Sequence, residues 1–174
     1  MNFSSKPMMI IIVSMIGILY IPAKLMILKN SLIPIKGSVA EVNKSLTRIP
    51  FYKFRLSGHS NLFYNSGTGV LSNLKNDKEI LYTNINREID FFISKTDVLR
   101  LEKGKEVRYI GLQKKNVWID LFYYQFSQLG KIPFFIFCIL MMCLNTYGIY
   151  TFKLRIFEFM IISYLVYGIL ILIL

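Results

Sequence analysis

Three charge-poor apolar runs, at 7–28, 132–152 and 156–174, leave almost all of the charge in the stretch between Lys29 and Lys131. That segregation restricts the fold more than any motif in the chain. The middle stretch holds 17 of the 21 Lys and Arg residues, 9 of the 10 acidic residues and the single histidine, His59. Hydrophobic residues reach 54% and mean hydropathy +0.48, although 18% of residues are charged. A chain can be this apolar and this charged when the two kinds of residue occupy different solvents. The expectation is an integral membrane protein, α+β, with three transmembrane helices and an extramembrane domain inserted between the first and second.

The first run, Pro7–Ala23, has 17 residues without a charge. If Lys24 snorkels, it extends to Leu28, long enough for a hydrocarbon core of about 30 Å. Residues 1–28 are read as an uncleaved signal anchor over a cleaved signal peptide, because Ile21 occupies the place near Ala23 where cleavage wants a small side chain. Ser14 and Gly17 give this helix a small-residue face that another helix can approach. Ile132–Phe152 and Ile156–Leu174, joined by the basic turn Lys153-Leu154-Arg155, form a transmembrane hairpin over 131–174. Asn145 and Thr146 are read as hydrogen-bonding between helices. Glu158, three residues after Arg155, is read as an interfacial ion pair over a proton-path carboxylate. The helical faces allow a homo-oligomer.

Residues 29–119 carry the two-residue alternation of half-buried strands. Ile33, Ile35, Gly37 and Val39 share one face; Tyr52, Phe54 and Leu56 oppose Lys53 and Arg55; Ile89, Phe91 and Ile93 share another face, as do Val107 and Tyr109. Ser57–Asn61 reads as a hairpin turn before Leu62–Tyr64. Asn65-Ser-Gly-Thr-Gly69 and Asn76-Asp-Lys78 read as loops, Ile80–Thr83 is ambiguous, and Asn116–Ile119 is a candidate last strand. Five to seven short strands predict a small antiparallel β-barrel or sandwich. Asp120 is read as the N-cap of a short helix, with 120–130 as an aromatic interfacial helix stopped at Gly130 and Pro133 opening the next helix. Trp118, Phe122, Tyr123, Tyr124 and Phe126, with Lys131, Lys153 and Arg155, are the candidate membrane-interface residues. The alternative is that the aromatics complete the domain core.

Two basic residues in the 153–155 turn, and Lys6 near the N-terminus, favour the cytoplasm for both. Three spans then put the β-domain outside. Lys24, Lys29, Lys36 and Lys131 argue the other way, but loops longer than about 60 residues translocate with little regard to charge.

Chemistry is sparse. One histidine cannot build a histidine metal site or a Ser-His-Asp triad, and both cysteines, Cys138 and Cys143, lie in an apolar run. No metal and no cofactor is expected. Ser72-Asn-Leu-Lys75 matches the S-x-x-K pattern in which a lysine activates a serine, but the partner motifs are absent. Tyr52-Lys-Phe-Arg55 interleaves aromatics with cations as a single-strand nucleic-acid platform does, yet alternation puts the rings on the face away from the charges, so nucleic acid is disfavoured. The net charge of +11 fits attraction to anionic lipid or an acidic partner.

Gly37-Ser-Val39, Tyr52-Lys-Phe54 and Gly104-Lys-Glu-Val107-Arg-Tyr109, following a first span and preceding further spans, resemble a loosely defined set of bacterial membrane proteins with no established activity. A proline-containing segment expected after the last strand is absent, since Gln113–Asn116 has none. The resemblance covers about 100 residues. It implies an anchored β-domain in the bacterial cytoplasmic membrane and nothing catalytic. The leading expectation is a non-enzymatic membrane protein that presents a basic β-domain to a protein partner or an envelope component. A self-protection protein that blocks a toxin in the envelope is the second, and a membrane-bound Ser-Lys hydrolase the third.

Overall fold

The computed structural model describes residues 5–43, 51–66, 71 and 74–173. It has two compact units, one over Met1–Met26 and Tyr124–Ile173, the other over Ile27–Tyr123. Both divisions fall inside helices.

In the second unit the alternating segments form a curled sheet of five strands. They are β1 (Leu32–Asn43), β2 (Phe51–Leu56), β3 (Leu62–Ser66), β4 (Glu88–Ser94) and β5 (Val107–Arg108), in the order β4-β1-β2-β3-β5. β1 is long enough to serve two partners. Its first half pairs antiparallel with β4 from Leu32↔Ser94 to Ser38↔Glu88, and its second half pairs with β2. The register shifts between Val39 and Glu41, where the strand changes partner. At the approach to that bend, a Cβ on Gly37 would lie 2.9 Å from Leu56 Cδ1, so a larger residue there would make the Leu56 side chain shift.

β2 and β3 form the expected hairpin, with Phe54 opposite Phe63 and Gly58 at φ +79° in the turn. β3 then pairs parallel with β5, which makes the sheet mixed instead of antiparallel. Immediately beyond β5, Phe92 and Ile110 exchange both backbone hydrogen bonds, at 2.8 and 2.9 Å, bringing the two edges together at one point. The result is a half-barrel.

The inward faces are those the alternation marks. Phe54, Leu56, Ile89, Phe91, Ile93, Val107 and Tyr109 are all buried, with Tyr52, Ile33 and Ile35 packed partly against them. Phe54, Phe63, Phe91 and Tyr109 form one aromatic cluster with ring centroids 4.9 to 6.2 Å apart. Ile80–Thr83 belongs to a helix, α2 (Asp77–Thr83), which drops Ile80 and Leu81 into the same core. The Asn76-Asp-Lys78 segment is therefore a helix start and not a loop. Its acids, Asp77 and Glu79, sit in the first turn, where the helix dipole favours them. A short α3 (Val98–Glu102) precedes the Gly104 turn.

The first unit is helical. It contains most of α1 (Ser5–Asn30), together with α5 (Lys131–Phe152) and α6 (Ile156–Ile173). These three helices are long and apolar enough to cross a membrane. The small-residue face of α1 is used as its spacing implies. Ser14 Oγ donates to Asn145 Oδ1 at 3.1 Å, the Tyr164 hydroxyl donates to Ser14 O at 2.8 Å, and the Tyr167 hydroxyl donates to Ile18 O at 2.6 Å. A Cβ on Gly17 would run into the Tyr164 hydroxyl. Thr146 instead bonds back to Met142 O of its own helix. The Glu158 N–H donates to Arg155 O at 3.0 Å, yet no ion pair joins the two side chains among the described residues, so the expected i,i+3 pair is not formed.

The remaining helix, α4 (Val117–Leu129), corrects two expectations. Asn116–Ile119 adds no strand: Val117 to Ile119 open this helix. Asp120 lies inside its first turn and so is not an N-cap. Its carboxylate is used across the fold, as described next. Gly130, at φ +76°, separates α4 from α5.

Candidate functional site

Polar chemistry in the second unit gathers around Asp120. One of its oxygens, Oδ2, accepts the Gly111 N–H at 2.7 Å, and the other, Oδ1, pairs with Lys75 Nζ. Both side chains are fully shielded from solvent. The Lys75 ammonium also lies over the Tyr123 ring, 4.9 Å from its centroid. Nearby, the buried Tyr109 hydroxyl donates to Asp77 Oδ2 at 2.8 Å, and Asn65 Nδ2 donates to Tyr109 O at 3.2 Å.

Burial pushes the Asp77 carboxyl up to about 6, the negative charge of Asp120 adds to the effect, and the Tyr109 hydrogen bond and the Lys75 charge oppose it. Tyr109 is driven well above its ordinary range by burial first and by Asp77 second. Burial and Asp77 raise Tyr52 as well. These are groups of the kind that populate active sites. Here, however, Lys75, Asp77, Tyr109 and Asp120 are all buried among the described residues and committed to partners, Lys75 to Asp120 and Tyr109 to Asp77. Lys75, the base of the S-x-x-K pattern, is committed to Asp120; Ser72 lies outside the described residues. Among the described residues no group of three His, Cys, Asp or Glu side chains is placed to hold a metal ion.

What the network does mechanically is hold a loop. Gly111, fixed by Asp120, begins a segment in which Gln113, Lys114 and Asn116 have φ of +49°, +59° and +55°. Left-handed backbone is uncommon outside glycine, and a run of it stores of order 1–3 kcal/mol per residue. The strained loop forms one rim of a cleft of about 600 Å³. Lys29, Lys114 and Asn116 supply its polar rim, and Leu32, Phe92 and Ile119 its apolar wall. Trp118 completes it, 47% exposed, with the Lys29 ammonium 4.6 Å from its ring centroid. Lys114 pairs with Asp90 at 3.2 Å on the surface.

The residues named from sequence as membrane-facing divide into three groups. Trp118, Lys131, Lys153 and Arg155 are exposed; Phe122 is half-buried; Tyr123, Tyr124 and Phe126 are buried. Part of the aromatic density before α5 therefore serves internal packing, with Tyr123 beneath Lys75 and Phe126 against Phe134 at 5.7 Å. Sequence reasoning did not find the cleft. Its residues come from the end of α1, β1, β4 and the start of α4, and the one local signal was a glycine followed by two cations and an asparagine.

No known protein family, characterised protein or solved structure matches this chain.

Proposed function

We propose that this is a non-enzymatic multi-pass membrane protein of the bacterial cytoplasmic membrane that displays its β-domain on the extracytoplasmic side to bind an acidic protein partner. One observation carries the reading. Of the cations described between Lys29 and Lys131, Lys75 alone is buried, whereas Asp77, Asp97 and Asp120 are all withdrawn from the surface. Folding thus makes the exposed face more basic than the sequence. Lys36, Arg55, Arg87, Lys95, Lys103 and Lys105 all stand exposed. Such a field steers association with acidic surfaces and does so in a salt-dependent way. The closed state of the Lys75–Asp120 pair supports a structural role for the one lysine that the hydrolase reading requires.

The test is site-specific photo-crosslinking in native membranes, with the crosslinker at Lys36, Arg55 or Lys103. A discrete protein adduct is expected that weakens at high salt and is lost in Lys103→Glu/Lys105→Glu. Adducts indifferent to salt and to charge reversal would overturn the acidic-partner reading. Covalent labelling of Ser72 by a fluorophosphonate, abolished in Ser72→Ala, would overturn the non-enzymatic one.

A further inference from the structure

We infer that the cleft between Lys29, Lys114 and Trp118 is a binding site for one anionic phospholipid, with the phosphate on the lysines and the glycerol and upper acyl chain along the apolar wall. The site is distinct from the protein-binding surface proposed above.

Position comes first. Lys29 belongs to the last turn of α1, which ends at Asn30. The candidate span Lys6–Asn30 has 25 residues, roughly 37 Å of helix at 1.5 Å per residue, against a hydrocarbon core of about 30 Å. Its last turn accordingly emerges among the headgroups, and Lys29 carries the rim of the cleft there by covalent continuity. A water-soluble ligand would have no need of that depth. A lipid phosphate is already at it.

Chemistry comes second. The cleft is two-sided in the manner of a phospholipid. Lys29 has no carboxylate partner among the described residues and is held over Trp118. Lys114 has Asp90, but the lysine side chain is 65% exposed, and a pair with one solvated partner holds it only weakly. Asn116 adds an amide. Opposite these, Leu32, Phe92 and Ile119 offer a wall with no hydrogen-bonding side chain. A volume near 600 Å³ suits a headgroup with its glycerol, within the range of roughly 300–1,000 Å³ typical of ligand clefts. Trp118, amphipathic and half-exposed, is the side chain that favours the headgroup layer.

Preorganisation comes third. The left-handed residues Gln113, Lys114 and Asn116 are set by Gly111, and Gly111 is tied through Asp120 to Lys75. Lys114 N donates to Gly111 O at 2.9 Å and Lys115 N to Leu112 O at 3.0 Å, so the loop is closed on itself before a ligand arrives. Strain held in place beside a cleft is a recurrent property of ligand clamps.

Trp118 is the only tryptophan in the chain, so its fluorescence reports this cleft alone. The experiment places the full chain in nanodiscs of phosphatidylcholine with a minor fraction of brominated phosphatidylglycerol or, at equal mole fraction, brominated phosphatidylcholine. Brominated phosphatidylglycerol is expected to quench Trp118 with an apparent affinity roughly 25-fold higher, since each of the two lysines near an anionic surface is worth a factor of about five. The preference should fall to near unity in Lys29→Gln/Lys114→Gln. It should persist in Lys29→Arg/Lys114→Arg, which keeps the charge and controls for folding, and in the distant Lys103→Gln/Lys105→Gln. Equal quenching by both lipids, or a preference unchanged in Lys29→Gln/Lys114→Gln, would overturn the assignment. So would loss of the preference on adding millimolar glycerol phosphate, which would give the cleft to a soluble anion. Protection of Trp118 from both lipids, with a photo-crosslinker at Lys114 capturing protein, would give it to a protein partner.

Discussion

The two units bury polar groups in opposite styles. In the second unit the interior holds charge: Lys75 against Asp120, and Asp77 under the Tyr109 hydroxyl. In the first unit the interior holds neutral groups, Ser14 with Asn145 and two tyrosine hydroxyls on carbonyls of α1, while the outside is apolar. Ile16, Tyr150, Phe159 and Leu172 there are each more than 60% exposed. Burying a charge costs its hydration, and the second unit offsets that cost by pairing: Lys75 with Asp120, and Asp77 with the Tyr109 hydroxyl. The helices of the first unit bury only short dipoles at close approach. The neutral interior and apolar exterior of the first unit suit helices long and apolar enough to cross a membrane.

The largest test of that contrast is Asp120→Ala. It leaves the Lys75 ammonium buried without its partner and the Gly111 N–H without an acceptor. A loss of about 3–5 kcal/mol is expected, read by denaturant unfolding of the full chain in nanodiscs with Trp118 as probe. Lys75→Met/Asp120→Asn, which removes both charges and keeps an acceptor for Gly111, should recover most of it. A loss under about 1 kcal/mol would remove the pair from the account of the second unit.

Asp77 gives the next effect, through pH. Its carboxyl titrates near 6 in the fold against 3.8 when solvated, so folding favours the protonated form. This residue's contribution is fully present below about pH 4, declines as pH rises towards 6 and is absent above. The change is of order 2–3 kcal/mol. Subtracting the stability profile of Asp77→Asn from that of the parent chain isolates it. A difference that grows more favourable to the parent with rising pH would reverse the sign.

The smallest effect belongs to the helices. Asn145→Ala removes the bond to Ser14 and is expected to lower stability by about 1 kcal/mol, since membrane hydrogen bonds of this kind are worth roughly 0.6–2 kcal/mol. Thermal melts in detergent would measure it. A loss comparable to that of Asp120→Ala would erase the distinction between the units.

Much of this was legible in the chain. Alternation places Tyr52, Phe54, Leu56, Ile89, Phe91 and Ile93 because period two survives wherever one face is buried, and the apolar runs mark the long helices. What was not legible depends on partners far away in sequence. The parallel pairing of β3 with β5 leaves no local signature. Asp120 has an N-cap's residue type, but its partners are Gly111 and Lys75, the latter 45 residues earlier, and helix α4 begins before it. In α2, the polar start at Asn76-Asp-Lys78 hides a helix that only the burial of Ile80 and Leu81 justifies. The cleft joins Lys29, Phe92, Lys114 and Trp118, which no window of sequence contains together.

The central claim is that the basic β-domain and the Lys153–Arg155 turn lie on opposite sides of a membrane. It is tested most directly by single-cysteine labelling with a membrane-impermeant maleimide in intact cells, in a Cys138→Ala/Cys143→Ala background. Ser57→Cys, in the exposed β2–β3 turn, should label at once from outside, and Lys153→Cys only after permeabilisation. Labelling of Lys153→Cys from outside with Ser57→Cys protected would contradict the account, placing the basic surface in the cytoplasm.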